Sequence, residues 1–193
     1  MKKRTAFIGA ILSLIPLGQP LFFKTGVVLS SSAVILSLAE KVNAESANFY
    51  FNRAYDKNEN GDYYGAISDY TKAIEMNPTY AGAYYNRGNI KGRLKDNQSA
   101  LLDFNKSLEI DPSNDQAYIS RGYIKRRLGN FYGALSDYYK AIEIEPQNPQ
   151  AFINISVVKE DLGDIQGACL DAKKAISLGN KDSLNIDWIK ENC

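Results

Sequence analysis

The sequence predicts an all-α protein, a solenoid of about four helix-turn-helix units of 34 residues closed by a C-terminal capping helix. Three observations carry that prediction. The stretch DYTKAIEMNP at 69–78 returns as DFNKSLEIDP at 103–112, as DYYKAIEIEP at 137–146 and, worn, as DAKKAISLGN at 171–180. In the helix that holds the first copy, AISDYTKAIEM, the apolar residues follow helical i, i+3, i+4, i+7 spacing, as Ala66, Ile67, Tyr70, Ala73 and Ile74 do. Pro78, Pro112 and Pro146 then stop one helix and restart the chain, with Asn180 at the fourth such point.

Composition narrows the function. The chain has 193 residues, 45% hydrophobic and 23% charged, which suits a packed domain and is far too apolar for a disordered one. The net charge of +1 gives no global pull toward nucleic acid. There are no histidines, which removes Ser–His and Cys–His nucleophiles and imidazole metal ligands. Two cysteines alone do not make a zinc site. No acid–base couple or phosphate loop stands out, so no catalytic residue, cofactor or metal is expected.

The first element is residues 1–44. They carry Lys2, Lys3, Arg4, Lys24 and Lys41 against Glu40 alone, leaving 18 basic and 21 acidic residues in the rest. A basic start precedes two apolar runs, 6–23 and 27–39, and then a polar body. One reading is an export signal whose apolar core is 27–39, cut after Ala44 where VNA offers small residues. The other is a retained membrane anchor, although Pro16, Gly18, Gln19 and Pro20 interrupt the longer run and a span needs about 20 apolar residues. Both deliver the body across a membrane, the anchored form with its basic start kept inside.

The units follow at 47–80, 81–114, 115–148 and, degenerate, 149–182. In each, a first helix (A) carries an aromatic at position 4: Tyr50, Tyr84, Tyr118, Phe152. A small residue comes four later: Ala54, Gly88, Gly122, Ser156. After a turn, the second helix (B) places an alanine at position 20 (Ala66, Ala100, Ala134, Ala168). Position 24 is Tyr70, Phe104, Tyr138 and then Ala172, and position 27 is Ala73, Ser107, Ala141 and Ala175. Small residues let helices approach, and rings fill the remaining space. This aromatic–small–alanine–aromatic–alanine–proline pattern, in register over the four units, resembles the tetratricopeptide repeat family. Two positions depart from it. Position 7, usually leucine in that family, is Arg53, Arg87, Arg121 and Ile155, and position 11, usually aromatic, is Lys57, Lys91, Lys125 and Lys159. Residues 183–193 read as the capping helix, with Leu184, Trp188 and Ile189 over the last open face.

The resemblance implies a curved surface that binds a protein or peptide in its inner face, as scaffold, adaptor or assembly factor. Carried over by position, the groove residues are Asn48, Phe51, Asn52, Tyr55, Tyr85, Asn86, Asn89, Arg93, Gln116, Ile119, Tyr123, Arg126, Arg127 and Asn154. Amides can bond a peptide backbone, and tyrosine rings give contact area. Members that grip chaperone tails use Lys and Asn at positions 5 and 9, Asn at 6 of the next unit, and Lys and Arg at 2 and 6 of a third. Here those positions hold Phe51, Tyr55, Asn86, Gln116 and Ser120, so a chaperone-tail carboxylate clamp is not expected. The recurring arginines face a matching series of aspartates, Asp69, Asp103, Asp137 and Asp171, and ion pairs between packed helices are expected over a phosphate-reading row. In an exported chain Cys169 and Cys193 are candidates for a disulfide holding the cap to the last unit. Asn97, Asn105 and Asn154 start glycosylation triplets, but within or beside repeat helices, where chance matches are expected.

Overall fold

A computed structural model describes residues 21–22, 28–29, 31–180 and 183–193, with side chains from 35 to 180 and from 188 to the end. It divides into two compact units, Met1–Ser46 and Ala47–Cys193. In the first, β1 (Leu21–Phe22) and β2 (Val28–Leu29) pair antiparallel, Leu21 opposite Leu29 and Phe22 opposite Val28. The basic start and almost all of the apolar run 6–23 lie outside the described residues. No helix among the described residues is long and apolar enough to cross a membrane.

The second unit is a row of antiparallel helix pairs. Helix α1 (Ser31–Glu59) supplies the first A helix from Ala47 onward, and α2 (Tyr63–Met76) is its B helix. The following pairs are α3 (Ala81–Arg93) with α4 (Asn97–Ile110), α5 (Asp115–Arg127) with α6 (Phe131–Ile144), and α7 (Pro149–Asp161) with α8 (Ile165–Ser177). Helix α9 (Ser183–Asn192) closes the row. From α2 to α9 each helix packs on its chain neighbours, and α5 also meets α3 and α7, which brings successive A helices side by side.

Local chemistry sets the helix ends. Each B helix starts on an Asp or Asn whose side chain accepts the amide three residues on: Asp62 from Gly65, Asp96 from Ser99, Asn130 from Gly133 and Asp164 from Gly167. The A-to-B turn needs one residue with positive φ, and Gly61, Gly129 and Gly163 supply it at 79°, 77° and 82°. The second repeat places Lys95 there, at φ 66°.

The core is a string of clusters, each crossing a repeat boundary. Ala54, Ala66, Tyr70 and Ala73 of the first repeat enclose Ala83 and Ile90 of the second. Ala100 and Phe104 of the second meet Ile124 of the third. Ala134, Tyr138 and Ala141 of the third meet Ala151, Ile155 and Val158 of the fourth. No repeat buries its own apolar face alone, which is why the pattern is copied.

At the C-terminal end, Cys169 of α8 and Cys193 are joined by a disulfide, their Cα atoms 5.7 Å apart. Trp188 of α9 donates its indole N–H to Glu160 Oε1 of α7 at 2.8 Å. Trp188 and Ile189 are half-buried, while the side chain of Leu184 lies outside the described residues.

Candidate functional site

Two sets of cations recur on the repeat period, and the structure gives them different work. At position 7, Arg53, Arg87 and Arg121 each fork onto the aspartate of their own B helix. Arg53 Nη2 lies 2.6 Å from Asp69, Arg87 Nη2 2.7 Å from Asp103 and Arg121 Nη2 2.7 Å from Asp137, with each Nε donating to the second oxygen. Lys57, Lys91 and Lys125, one helical turn further on, reach the same carboxylates at 2.8, 2.7 and 2.7 Å. The third donor of Arg87 bonds Thr71 Oγ1, and that of Arg121 bonds Asn105 Oδ1, so each arginine also ties its repeat to the one before. Tyr50, Tyr84 and Tyr118 lie against the same guanidinium groups. In the fourth repeat Ile155 replaces the arginine, and Lys159 alone pairs with Asp171, at 2.5 Å. The arginine row therefore belongs to the frame. Asp69 shows the electrostatic result: the Arg53 hydrogen bonds, then Lys57, hold its carboxyl down to about 2.

On the inner side of the A helices an open cavity of about 880 Å³ runs across all four repeats. Its walls are Tyr55 and Asn58 of α1, Asn86, Asn89 and Arg93 of α3, Ile119, Ser120, Tyr123 and Arg127 of α5, and Gln150 and Asn154 of α7. Spacing puts them there: residues three, four and seven apart on a helix share a face, and stacking parallel A helices aligns those faces. Tyr55 and Tyr123 hold their rings about half exposed in it.

Eight of the residues carried over by position line this cavity: Tyr55, Asn86, Asn89, Arg93, Ile119, Tyr123, Arg127 and Asn154. The other six sit elsewhere, each for a local reason. Phe51 stacks on Tyr80 at 4.7 Å and meets Tyr70 edge-on, and Asn48 accepts the Tyr80 hydroxyl at 2.9 Å. Tyr85 packs toward Phe104, and Gln116 donates to Asp115 at 2.9 Å. Arg126 is held 2.6 Å from Asp161, and Asn52 is exposed beyond the cavity. Sequence reasoning missed the floor, formed by Tyr70, Ile90, Phe104 and Ile124, and Lys95 at the turn. The signal was present in the isoleucine at position 10 and the ring at position 24, which recur in neighbouring repeats. Burial pushes the Tyr70 phenol up to about 12 against an opposing hydrogen bond with Asn86, so the floor is neutral at ordinary pH.

Family profiles match these repeats one after another: a TPR repeat over residues 55–95, and a tetratricopeptide repeat over 81–114 and again over 115–148. The chain is a tetratricopeptide-repeat protein. Solved structures share its tetratricopeptide architecture. A crystal structure of MamA is 23% identical, aligned over 78% of this chain and 86% of that one, with a TM-score of 0.67. The tetratricopeptide domain of Arabidopsis OM64 is 28% identical over 62% of this chain and 98% of its own, with a TM-score of 0.60. The first such domain of Spaghetti (RPAP3), bound to an HSP90 peptide SRMEEVD, is 27% identical over 62% of this chain and 95% of its own, at 0.61. No curated protein sequence matches significantly. Tetratricopeptide repeats are generally a non-catalytic interaction fold, and they make this chain a protein-interaction module.

Proposed function

We propose that the chain is an exported or membrane-tethered scaffold, adaptor or assembly factor that holds an extended peptide segment in the groove of repeats one to three. The observation that carries this reading is the cavity wall itself. Asn58, Asn86 and Asn89 offer amides to a peptide backbone, and the half-exposed Tyr55 and Tyr123 offer ring surface. RPAP3 holds its peptide on the same fold. The family's chaperone-tail clamp does not carry over to this chain, because Phe51, Tyr55, Gln116 and Ser120 stand where that clamp needs lysine, asparagine, lysine and arginine. Comparing co-purification by the full chain with that by an Asn86→Ala/Asn89→Ala variant tests the groove. The partner is expected to be lost with helicity unchanged, and equal recovery would refute the groove.

Delivery across a membrane rests on the basic-then-apolar layout of residues 1–44 and on the disulfide, which suits an oxidising compartment. A second reading is an assembly subunit of a membrane complex acting through a retained N-terminal anchor. It is favoured by the exposed Ile35, Leu36, Leu38 and Val42 at the start of α1. Intact mass from the native membrane separates the two: a chain beginning at Glu45 supports the soluble adaptor, and a full-length chain supports the anchored subunit.

A further inference from the structure

The charge of the groove is one-sided. Its lining contains Arg93, Lys95 and Arg127 and no aspartate or glutamate. The described repeats sort their six arginines into two classes. Arg53, Arg87, Arg121 and Arg126 are each within 2.7 Å of a carboxylate. Arg93 and Arg127 have only neutral partners. Arg93 lies over the Tyr63 ring at 4.9 Å and donates to its hydroxyl at 2.8 Å. Arg127 lies over the Tyr123 ring at 5.8 Å and donates to the Gly92 carbonyl at 3.0 Å. These contacts aim the two guanidinium groups without neutralising them. Both occupy position 13, one repeat apart, whereas the same position is Glu59 in the first repeat and the paired Asp161 in the fourth. The unneutralised charge is therefore confined to the middle of the groove.

Lys95 adds an independent observation. It occupies the turn position that is glycine in the other three repeats, with a left-handed φ of 66° that disfavours any side chain. Here it contributes a third cation to the same patch.

We infer that the peptide held by this groove is acidic, with two carboxylate side chains set against Arg93 and Arg127. Neighbouring helices lie about 8–10 Å apart, and an extended chain rises about 3.3 Å per residue. The two acidic residues are thus about two to three positions apart in the bound segment. Carboxylates inside a segment suffice, since the cations flank the peptide path at the second and third repeats. This inference rests on the groove reading above, and the two can fail separately.

The test is selection of random dodecapeptides on the full-length chain in detergent, followed by fluorescence anisotropy of the enriched sequences. Enriched peptides are expected to carry paired Asp or Glu, to weaken with added salt, and to bind about tenfold less tightly to each of Arg93→Gln and Arg127→Gln. Lys95→Gln serves as a further variant should loss of the Arg127–Gly92 bond disturb folding, and it is expected to weaken binding in the same direction. Lys106→Gln and Lys140→Gln, which remove charges paired to Glu109 and Glu143 on the B helices, are expected to leave binding unchanged. Enriched peptides without acidic residues, indifferent to the arginine substitutions yet lost in Asn86→Ala/Asn89→Ala, would overturn the acidic specificity and leave the groove standing. Binding that survives the asparagine substitutions, or no enrichment at all, would overturn the groove reading and this inference together.

Discussion

Asp137 is 4% exposed and carries two cations, Arg121 and Lys125, on its two oxygens. Replacing it with alanine leaves Arg121 and Lys125, 17% and 23% exposed, without their carboxylate, and breaking a part-buried pair in that way costs up to the ~3–5 kcal/mol of a fully buried one. Urea denaturation of Asp137→Ala is expected to show a loss up to that size. Asp171→Ala, which strands the single cation Lys159, is expected to lose less. Asp69 makes the same point through pH. Its carboxyl titrates near 2 when folded, against an ordinary 3.8. A depressed carboxylate stabilises the fold above its unfolded value and loses that contribution as pH falls through the folded one. Stability is therefore expected to drop between about pH 4 and pH 2, and the drop should shrink in Arg53→Gln, as acid titration followed by circular dichroism will report. The arginine and aspartate series were both legible in the sequence because they share a period. The role of the lysines was not, because position 11 read only as a departure from the aromatic usual there. What decides it is helix geometry: positions 7 and 11 lie one turn apart and face the same carboxylate.

Within a repeat, fit between helices A and B depends on what faces the position-24 ring. A Cβ added at Gly122 would lie 2.6 Å from the Tyr138 ring, and one at Gly88 would lie 3.0 Å from Phe104. Alanine gains about 1 kcal/mol over glycine inside a helix. Overpacking a core costs about 1–3 kcal/mol. Gly122→Ala is therefore expected to be net destabilising and Gly88→Ala close to neutral, a difference that paired thermal melts will resolve. A matched large-for-small exchange, Gly122→Ala with Tyr138→Leu, is expected to recover part of the loss. Small residues at position 8, rings at position 24 and the helix-stopping prolines were readable because each recurs in frame. Lys95 at a left-handed turn was not readable as a turn residue, since nothing in lysine itself announces a positive φ. Only comparison with Gly61, Gly129 and Gly163 at the same position exposes it.

Over the whole repeat domain, stability is a chain of neighbouring interfaces, so its ends matter most. The Cys169–Cys193 bond closes a loop of sequence separation 24 over the last repeat. On the chain-entropy model such a loop is worth about 3 kcal/mol. Reduction is expected to lower the unfolding midpoint, with Trp188 fluorescence changing first because its indole is anchored to Glu160 across that end. Fold and repeat register were legible at this scale, whereas the groove was legible only in outline. Its walls follow from position along helix A, but Phe51, Tyr85 and Arg126 were drawn off by aromatic and ionic neighbours that only packing reveals. The floor comes partly from helix B, which positional carry-over from helix A does not see. The most direct measurement is site-specific photo-crosslinking of the full chain in its native cells, followed by mass spectrometry. A photoreactive amino acid would be placed in turn at Tyr55, Asn89 and Tyr123 inside the groove, and at the exposed Tyr64 and Tyr132 on the B helices. Crosslinks from the three groove positions to one continuous stretch of a single partner are the predicted result. Crosslinks confined to Tyr64 and Tyr132 would contradict it and move the interaction to the other side of the repeats.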